Sequence, residues 1–359
     1  MKVVIAGGGT GGHLYPGIAI AREVLKERDS DVLFIGTEQG IEAKELPREG
    51  LPVRFITVGK LKGMSLGYIM KTMVTLPLSL MQSMSLLREK RPDVVIGVGG
   101  YSSGPVALAA WVVRIPFLIV EPNSYAGLAN RNLGRLASKV ILCFPGTGAE
   151  RFFPAKKTKK VGPLVRKGID EGKREKAFKD FGLLPGSFTV FVMGGSGGAH
   201  AINMAMKDAA GILNKIENLQ ILHQTGEKDV ADVAARYRDA GVKAVVLPYI
   251  HDMAGAYAAA DLVVSRAGAT TVAELAVCGK RAVLIPFPFA ADNHQEYNAR
   301  TLAERGTAVV LAQRDLTAET LARLIVQSIG QEAPLRTANM ANTAAEEIAR
   351  MCKDYVQAN

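Results

Sequence analysis

Short apolar runs alternate with longer amphipathic stretches along this chain, and the alternation sets the fold class. Runs rich in Val, Ile, Leu and Phe fall at 2–6, 31–36, 94–98, 117–120 and 139–143. A second set falls at 188–193, 219–223, 244–247, 261–265 and 282–285. Between them lie segments with helical spacing, such as Ile18, Ala21, Val24 and Leu25. Strand–helix alternation builds parallel sheets from βαβ units, and strands that are apolar throughout are covered by helices on both faces. The pattern therefore predicts an α/β protein with doubly wound sheets.

The pattern restarts near residue 188, after a polar stretch, 155–180, that includes Lys156, Lys157, Lys159 and Lys160. At roughly 150 residues per domain, 359 residues suggest two domains. A linker near 160–168 would separate two Rossmann-like halves with a cleft between them. The Ala- and Glu-rich tail 337–359 reads as a closing helix. In such sheets ligands bind beyond the carboxyl ends of the strands.

Glycine loops follow several of the predicted strands. Gly7-Gly8-Gly9-Thr10-Gly11-Gly12-His13 precedes a helix opened by Pro16. Glycine permits positive φ and lets a phosphate come close to backbone amides. Gly7, Gly9 and Gly12 match GxGxxG, but a dinucleotide site also wants an acid at the end of strand two, where Glu38 lies slightly too far along. An NAD site is not favoured. Gly97-Val98-Gly99-Gly100-Tyr101-Ser102-Ser103-Gly104-Pro105 and Gly194-Gly195-Ser196-Gly197-Gly198-Ala199 are further loops of this kind. One such loop is usually a turn. Three, in both halves, point to two phosphate-bearing ligands or to one ligand gripped from both sides. In the second half, Arg266–Glu274 runs from a strand into a helix, whose start offers amides and the positive end of the dipole. Glu274 is either a solvated helix residue or an acceptor for a ribose diol. Asp292 and Gln295 have the spacing of a capping box, so Gln295 is either a cap or a ligand for sugar hydroxyls.

Composition narrows the partners. The net charge is +10, from 44 basic and 34 acidic residues, which favours an anionic ligand or surface. No basic run with interleaved aromatics and no nucleic-acid-binding motif is visible, so nucleic acid is not expected. Three widely spaced cysteines suggest neither a disulfide framework nor a zinc site. The first residues read as a strand, with no signal-peptide core. Residues 64–87 are apolar but mixed. The charge-free run Thr72–Leu87 is too short and too polar to span a bilayer, and Pro77 is expected to interrupt a helix there. Lys60, Lys62, Lys71, Arg88, Lys90 and Arg91 lie nearby. The segment is either a core helix or an apolar surface, ringed by cations, for shallow docking on anionic lipid.

Together, GGGTGGH at 7–13, GGYSSGP at 99–105, Glu121-x-Asn123, GGSGGA at 194–199, SRAGATTVAE at 265–274 and HQEYNA at 294–299 resemble the MurG family over nearly the whole chain. Those transferases make the last intracellular peptidoglycan precursor. The resemblance implies a GT-B fold, two Rossmann-like doubly wound domains facing each other across a deep cleft. It implies an acceptor domain, 1–163, joined by the closing helix 340–359, and a UDP-GlcNAc domain, 164–339. It further implies inverting transfer of GlcNAc from UDP-GlcNAc to the muramyl 4-hydroxyl of undecaprenyl-diphospho-muramyl-pentapeptide, at the cytoplasmic face of the inner membrane. No cofactor is implied and no metal, and no DxD-like carboxylate pair is poised for one. The implied partners are the two substrates, an anionic membrane surface and other cell-wall synthesis proteins.

Carried over by residue, the donor site comprises Thr10, Gly11, Gly12, Asn123, Arg166, Ser196, Ile250, Ala269, Thr270, Thr271, Glu274 and Gln295. Ile250 would meet the uracil through its backbone, and Glu274 the ribose. The acceptor diphosphate falls to Gly9, Gly12, His13, Gly100, Tyr101, Ser102, Ser103 and Gly104. The chain departs from the family at Pro122, where Gln is usual, and at Gly162-Pro163-Leu164, where Gly-Asn-Pro is usual. For the base that takes the acceptor's proton, His13 and Glu121 are rivals; imidazole, with an unperturbed pKa near 6.5, suits the task. The alternatives are a UDP-GlcNAc 2-epimerase on the same architecture, or a non-catalytic sugar-nucleotide-binding subunit that could dispense with His13.

Overall fold

The structure, a computed structural model, describes residues 1–59, 66–144, 148–195, 197–331 and 343–357, with only the backbone of 66–74. Ser196, Lys60 and Lys62, the side chain of Lys71, and residues 340–342 of the closing helix lie outside the described residues. The chain forms two compact units. One is Met1–Arg166 with Met340–Asn359, and the other is Lys167–Asn339.

The first unit runs β1 (Lys2–Gly7), α1 (Gly11–Val24), β2 (Asp31–Gly36), α2 (Glu42–Arg48), β3 (Val53–Phe55), α3 (Leu66–Lys90), β4 (Val94–Gly99), α4 (Ser103–Val112), β5 (Phe117–Glu121), α5 (Leu128–Leu133), β6 (Lys139–Leu142) and β7 (Thr158–Lys160). Its sheet has the order β3-β2-β1-β4-β5-β6-β7, with every pairing parallel. The two-residue period of a strand sends alternate side chains to opposite faces. Val3, Ile5, Val94, Ile96 and Val98 thus join α1 in one core. Val4, Ala6, Val95, Phe117 and Ile119 join α4 in the other.

The second unit runs α6 (Arg174–Phe181), β8 (Phe188–Met193), α7 (His200–Asp208), α8 (Ala210–Leu213), β9 (Leu219–Gln224), α9 (Val230–Asp239), β10 (Ala244–Leu247), α10 (Met253–Ala259), β11 (Leu262–Ser265), α11 (Ala269–Cys278), β12 (Arg281–Leu284), α12 (His294–Ala303), β13 (Ala308–Val310) and α13 (Ala318–Ser328). Its parallel sheet is ordered β10-β9-β8-β11-β12-β13. On one face Val190, Val192, Ile221 and Val264 pack against Ile202, Met206, Val233 and Ile325. On the other, Phe191 meets Tyr257 edge-on at 5.8 Å. The chain then returns to the first unit through α14 (Thr343–Gln357), whose Ala344, Ile348, Ala349 and Cys352 seal the α1 side of that core.

Three strands escape the apolar-run reading: β3, β7 and β13, each three residues long. β3 and β7 are the two outer strands of their sheet and β13 an outer strand of the other. An outer strand is paired on one side only and needs no continuous apolar run, so Thr158-Lys159-Lys160 looked like linker. The expected break at Pro77 is also corrected: α3 continues through it. A proline inside a helix costs about 3 kcal/mol or more, but just beyond Pro77 α3 is held by bonds to Thr57 and within the helix. Ser79 Oγ donates to the carbonyls of Thr57 and Thr75, and Thr57 N–H donates to Gln82 Oε1 at 2.8 Å. Among the described residues no helix is long and apolar enough to cross a membrane.

Ile348 is fully buried between α14 and α1. Ile348→Ala should destabilise the first unit by about 2–5 kcal/mol. The single tryptophan, Trp111, lies at the end of α4 in that unit. Its fluorescence in urea should show the earlier transition; an unchanged midpoint would remove α14 from that core's stability.

Candidate functional site

In the first unit the first two glycine loops meet. Gly7 pairs with Gly99 across β1 and β4, after a register shift between Ala6 and Gly7. Gly100 has φ +86°, and a Cβ there would sit 2.3 Å from the carbonyl oxygen of Gly8. Only glycine permits that approach. Beside this junction α1 begins with Thr10 as its N-cap. His13, in the first turn, lays its ring against Gly99, where a Cβ would come within 2.9 Å of Nε2. His13 Nδ1 lies 3.2 Å from Thr10 Oγ1. Thr10, Gly11, Gly12, His13 and the Gly99–Gly100 turn are therefore brought together.

Beneath the first loop lies a side chain that the sequence reading missed. Glu42 is fully buried. Its Oε2 accepts from Gly9 N–H at 2.7 Å, and its Oε1 accepts from Thr37 N–H at 2.8 Å and Thr37 Oγ1 at 2.9 Å. A Cβ on Gly8, Gly36 or Gly40 would fall within 2.5 Å of this side chain. The acid sought at the end of strand two thus exists a few residues later than Glu38, and it grips the loop. The Gly36…Gly40 pair that makes room for it was the available signal. The Gly9 N–H is thereby held by Glu42.

The second loop feeds α4. Tyr101 is exposed, while Ser102 and Ser103 are buried. Ser102 Oγ has no hydrogen-bond partner among the described residues. Gly104 lies in the first turn of the helix. The amides of such a helix start are suited to an incoming anion.

Glu121, at the end of β5, is buried and encircled. Its Oε1 accepts from the N–H and Nδ2 of Asn123, both at 3.0 Å; its Oε2 accepts from Gly127 N–H and Asn130 Nδ2, both at 2.9 Å. Burial pushes its carboxyl above the usual range, and these donors pull it back only in part. A carboxylate bound by four donors shapes a loop and is poorly placed to receive a substrate proton. Asn123 is thereby held in the same loop. Arg166, the last residue of this unit's first segment, stacks on the Tyr15 ring of α1, 4.5 Å from its centroid.

The second unit gathers its candidates at the ends of β8 to β12. Gly198, φ +74°, packs so closely that a Cβ would be 1.8 Å from the carbonyl oxygen of Thr225. Gln224, at the end of β9, donates through Nε2 to Gly195 O at 2.9 Å and accepts at Oε1 from Ile250 N–H at 2.8 Å. Ala269, Thr270 and Thr271 form the first turn of α11, after the N-cap Gly268. Glu274, one turn further, is buried and accepts from Tyr257 Oη at 2.9 Å. Tyr257 carried no sequence signal beyond an aromatic in a helix. Arg266 turns away from the helix start. It donates to the carbonyls of Ile285 and Pro286 and to Gln313 Oε1, pinning neighbouring strand ends. The capping-box reading of Asp292 and Gln295 is corrected. Asn293, at φ +53°, is the N-cap of α12, and Gln295 Oε1 instead accepts from Phe287 N–H at 2.9 Å. Gln295 therefore ties α12 to the loop before it.

A buried histidine supports this edge. His223 Nδ1 lies 3.0 Å from Tyr237 Oη, and Nε2 lies 3.1 Å from Asn203 Oδ1. Asn203 Nδ2 donates to Thr225 O and to Asp229, which also meets the exposed His200. Among the described residues no cluster of His, Cys, Asp and Glu is placed to hold a metal.

The glycosyltransferase family 28 N-terminal domain matches residues 3–142, and the family 28 C-terminal domain matches 189–355. The UDP-N-acetylglucosamine–N-acetylmuramyl-(pentapeptide) pyrophosphoryl-undecaprenol N-acetylglucosamine transferase of Syntrophus aciditrophicus is 45% identical over 367 residues, 99% of this chain and 99% of its own. The transferase of the same name from Thermodesulfovibrio yellowstonii is 44% identical over 96% of this chain and 94% of its own. Among solved structures, Acinetobacter baumannii MurG aligns with a TM-score of 0.75 at 31% identity, covering 98% of this chain and 99% of that one. A UDP-GlcNAc 2-epimerase from Methanocaldococcus jannaschii aligns at 0.65 and 13% identity, with 98% and 99% covered, a likeness of fold alone.

Burial lowers the pKa of His223 to about 3, against about 6.5 in an unfolded chain. The fold holds the neutral ring, so its contribution is complete above about pH 6.5 and is lost as pH falls towards 3, because the unfolded chain binds the extra proton. Thermal unfolding between pH 7 and pH 4 should therefore fall more steeply for the wild type than for His223→Gln, by up to about 1.4 kcal/mol per pH unit. Parallel curves would show that this ring titrates freely in the fold.

Proposed function

The chain belongs to the MurG branch of glycosyltransferase family 28, and from that membership we propose that it transfers GlcNAc from UDP-GlcNAc to the muramyl unit of a pyrophosphoryl-undecaprenol-linked muramyl-pentapeptide. The family match across both halves of the chain carries this reading. The first unit takes the lipid-linked acceptor and the second takes UDP-GlcNAc. In the first unit the second glycine loop, with Ser102 Oγ at the start of α4, receives the acceptor diphosphate, helped by Gly12, Gly100, Tyr101, Ser103 and Gly104. In the second, the α11 start with Ala269, Thr270 and Thr271, and Ser196 of the third loop, take the donor diphosphate. Glu274, oriented by Tyr257, takes the ribose. Gln295 and Asn123 take sugar hydroxyls, Ile250 takes the base, and Arg166 offsets charge on the departing UDP.

His13 is the better base. If Nδ1 carries the proton and donates to Thr10 Oγ1, Nε2 is left with its lone pair. That nitrogen takes the proton of the muramyl 4-hydroxyl. The oxygen forms its bond to C1 of GlcNAc as the bond from C1 to the UDP oxygen breaks on the opposite face, giving a β-linkage. UDP leaves with its charge held by helix-start amides. His13 then gives up the proton to solvent. The transfer runs on protein groups, without a bound metal.

The first unit also offers a docking face. α3 and α4 pack together, and Leu76, Leu78 and Met81 on α3 and Trp111 and Val112 on α4 are exposed. Arg88 and Arg114 are exposed close to these segments. Exposed apolar side chains close to cations support shallow, peripheral attachment to an anionic membrane on the side where the nucleotide sugar is made.

With UDP-GlcNAc, a short-chain lipid-linked muramyl-pentapeptide and a chelator, UDP release should require the acceptor and yield a β-linked disaccharide. UDP released without acceptor, together with free ManNAc, would establish the epimerase instead. His13→Ala should lower kcat by about 10²–10⁴ with donor affinity unchanged; a loss below about tenfold removes His13 as the base. Vesicles rich in phosphatidylglycerol should bind the protein at low salt and release it as ionic strength rises past roughly 0.5 M. Met81→Glu with Trp111→Glu should abolish that binding, and unaltered binding would move attachment elsewhere.

A further inference from the structure

We infer that Glu42 aims His13 for proton transfer, by fixing the one peptide group of the first glycine loop on which the seating of the imidazole ring depends. The inference rests on the proposed role of His13 as the base. The peptide in question joins Gly8 to Gly9 and is held at both ends. Its N–H, on Gly9, donates to Glu42 Oε2 at 2.7 Å. Its carbonyl, on Gly8, faces Gly100 so closely that no Cβ fits between them. Turned over, the peptide would set its carbonyl oxygen against the Glu42 carboxylate, two acceptors together.

Glu42 is itself fixed. It is fully buried, and its other oxygen accepts from Thr37 N–H at 2.8 Å and from Thr37 Oγ1 at 2.9 Å. Among the described residues its hydrogen bonds come only from the loops after β1 and β2. A glutamine in its place would have one acceptor oxygen for donors on two loops, and its amide N–H groups would face a backbone N–H on one of them.

The neighbours of the held peptide seat the histidine. On one side Gly9 leads into Thr10, whose carbonyl accepts from His13 N–H at 3.2 Å and whose Oγ1 lies 3.2 Å from His13 Nδ1. On the other, Gly100 follows Gly99, against which the Cδ2 and Nε2 edge of the ring rests. The hydrogen bond at one ring nitrogen decides which nitrogen carries the proton. Glu42 thus places the Thr10 hydroxyl to accept from Nδ1–H, and Nε2 is the nitrogen that takes the substrate proton. Buried as it is, Glu42 touches no substrate, and it is a positioning residue that acts through the backbone of the loop.

The test is a double-mutant cycle on the transfer reaction, with the wild type, Glu42→Gln, His13→Ala and the double variant each first checked for native circular dichroism. Glu42→Gln should lower kcat by about ten- to a hundredfold. Introduced into His13→Ala, it should change kcat by less than about threefold, because the base it aims is gone. Losses that multiply in the double variant, or a Glu42→Gln enzyme within about threefold of the wild type, would reduce Glu42 to a structural role and overturn the inference. Nitrogen NMR of the imidazole rings gives a second readout, the His13 signals being those missing from His13→Ala. The neutral ring of His13 should carry its proton on Nδ1 in the wild type and become a mixture of tautomers in Glu42→Gln; a wild-type proton on Nε2, or a tautomer unchanged by Glu42→Gln, would also overturn the inference. Should Glu42→Gln not fold, Glu42→Asp, a methylene too short to span both loops, is read in the same way. A kcat loss below about tenfold in His13→Ala would instead overturn the base role on which the inference rests.

Discussion

In a parallel sheet every strand ends on the same side, and there the chain must leave a hydrogen-bonded ladder within a strand spacing of about 4.8 Å. Everything else in this protein follows from how those crowded exits are built. Two devices recur. Glycines let backbone press on backbone, as Gly100 does on Gly8 and Gly198 on Thr225. Buried polar side chains then collect the N–H groups that the ladder has released. Glu42 does so after β2, Glu121 at the end of β5 and Gln224 at the end of β9. Each has an acceptor lodged beneath or beside a loop; removing Glu42 or Glu121 would leave several donors unsatisfied, and removing Gln224 would leave the Ile250 N–H so.

The same packing bears on chemistry. Loops held by buried acceptors are ordered before a ligand arrives, so binding need not organise them, and donors aimed at a developing charge stay aimed. It also divides labour among amides that look equivalent in the sequence. Gly9 and Ile250 have given their N–H groups to Glu42 and Gln224, whereas the buried Ser102 hydroxyl has no partner among the described residues. The fold alone does not choose the reaction: an epimerase at 13% identity shares it.

The central strands were legible because a strand covered on both faces must be apolar at nearly every position, as Val94–Gly99 and Phe188–Met193 are. Thr158–Lys160 was not, since an outer strand is half solvated. Pro77 misled because local propensity was overruled by the bonds of Ser79 and Gln82 to Thr57. The glycine loops and His13 announced themselves by composition. Glu42 and Tyr257 did not, because their roles depend on which side chain lies under which loop. Gln295 shows the reverse: its spacing fitted a cap, and its partner proved to be Phe287.

The return of α14 to the first unit makes the second unit an insertion between two parts of one core. A ribosome adds about 5–20 residues per second, so α1 is made tens of seconds or so before the helix that covers it. Throughout that interval the nascent chain carries Leu14, Ile18 and Val24 without Ile348 and Cys352. The second unit, whose elements are contiguous from Arg174 to Ser328, can close first. The unit that contains β1 is thus closed after the second unit, and a growing chain of this protein presents chaperones with an open apolar face until α14 has left the tunnel.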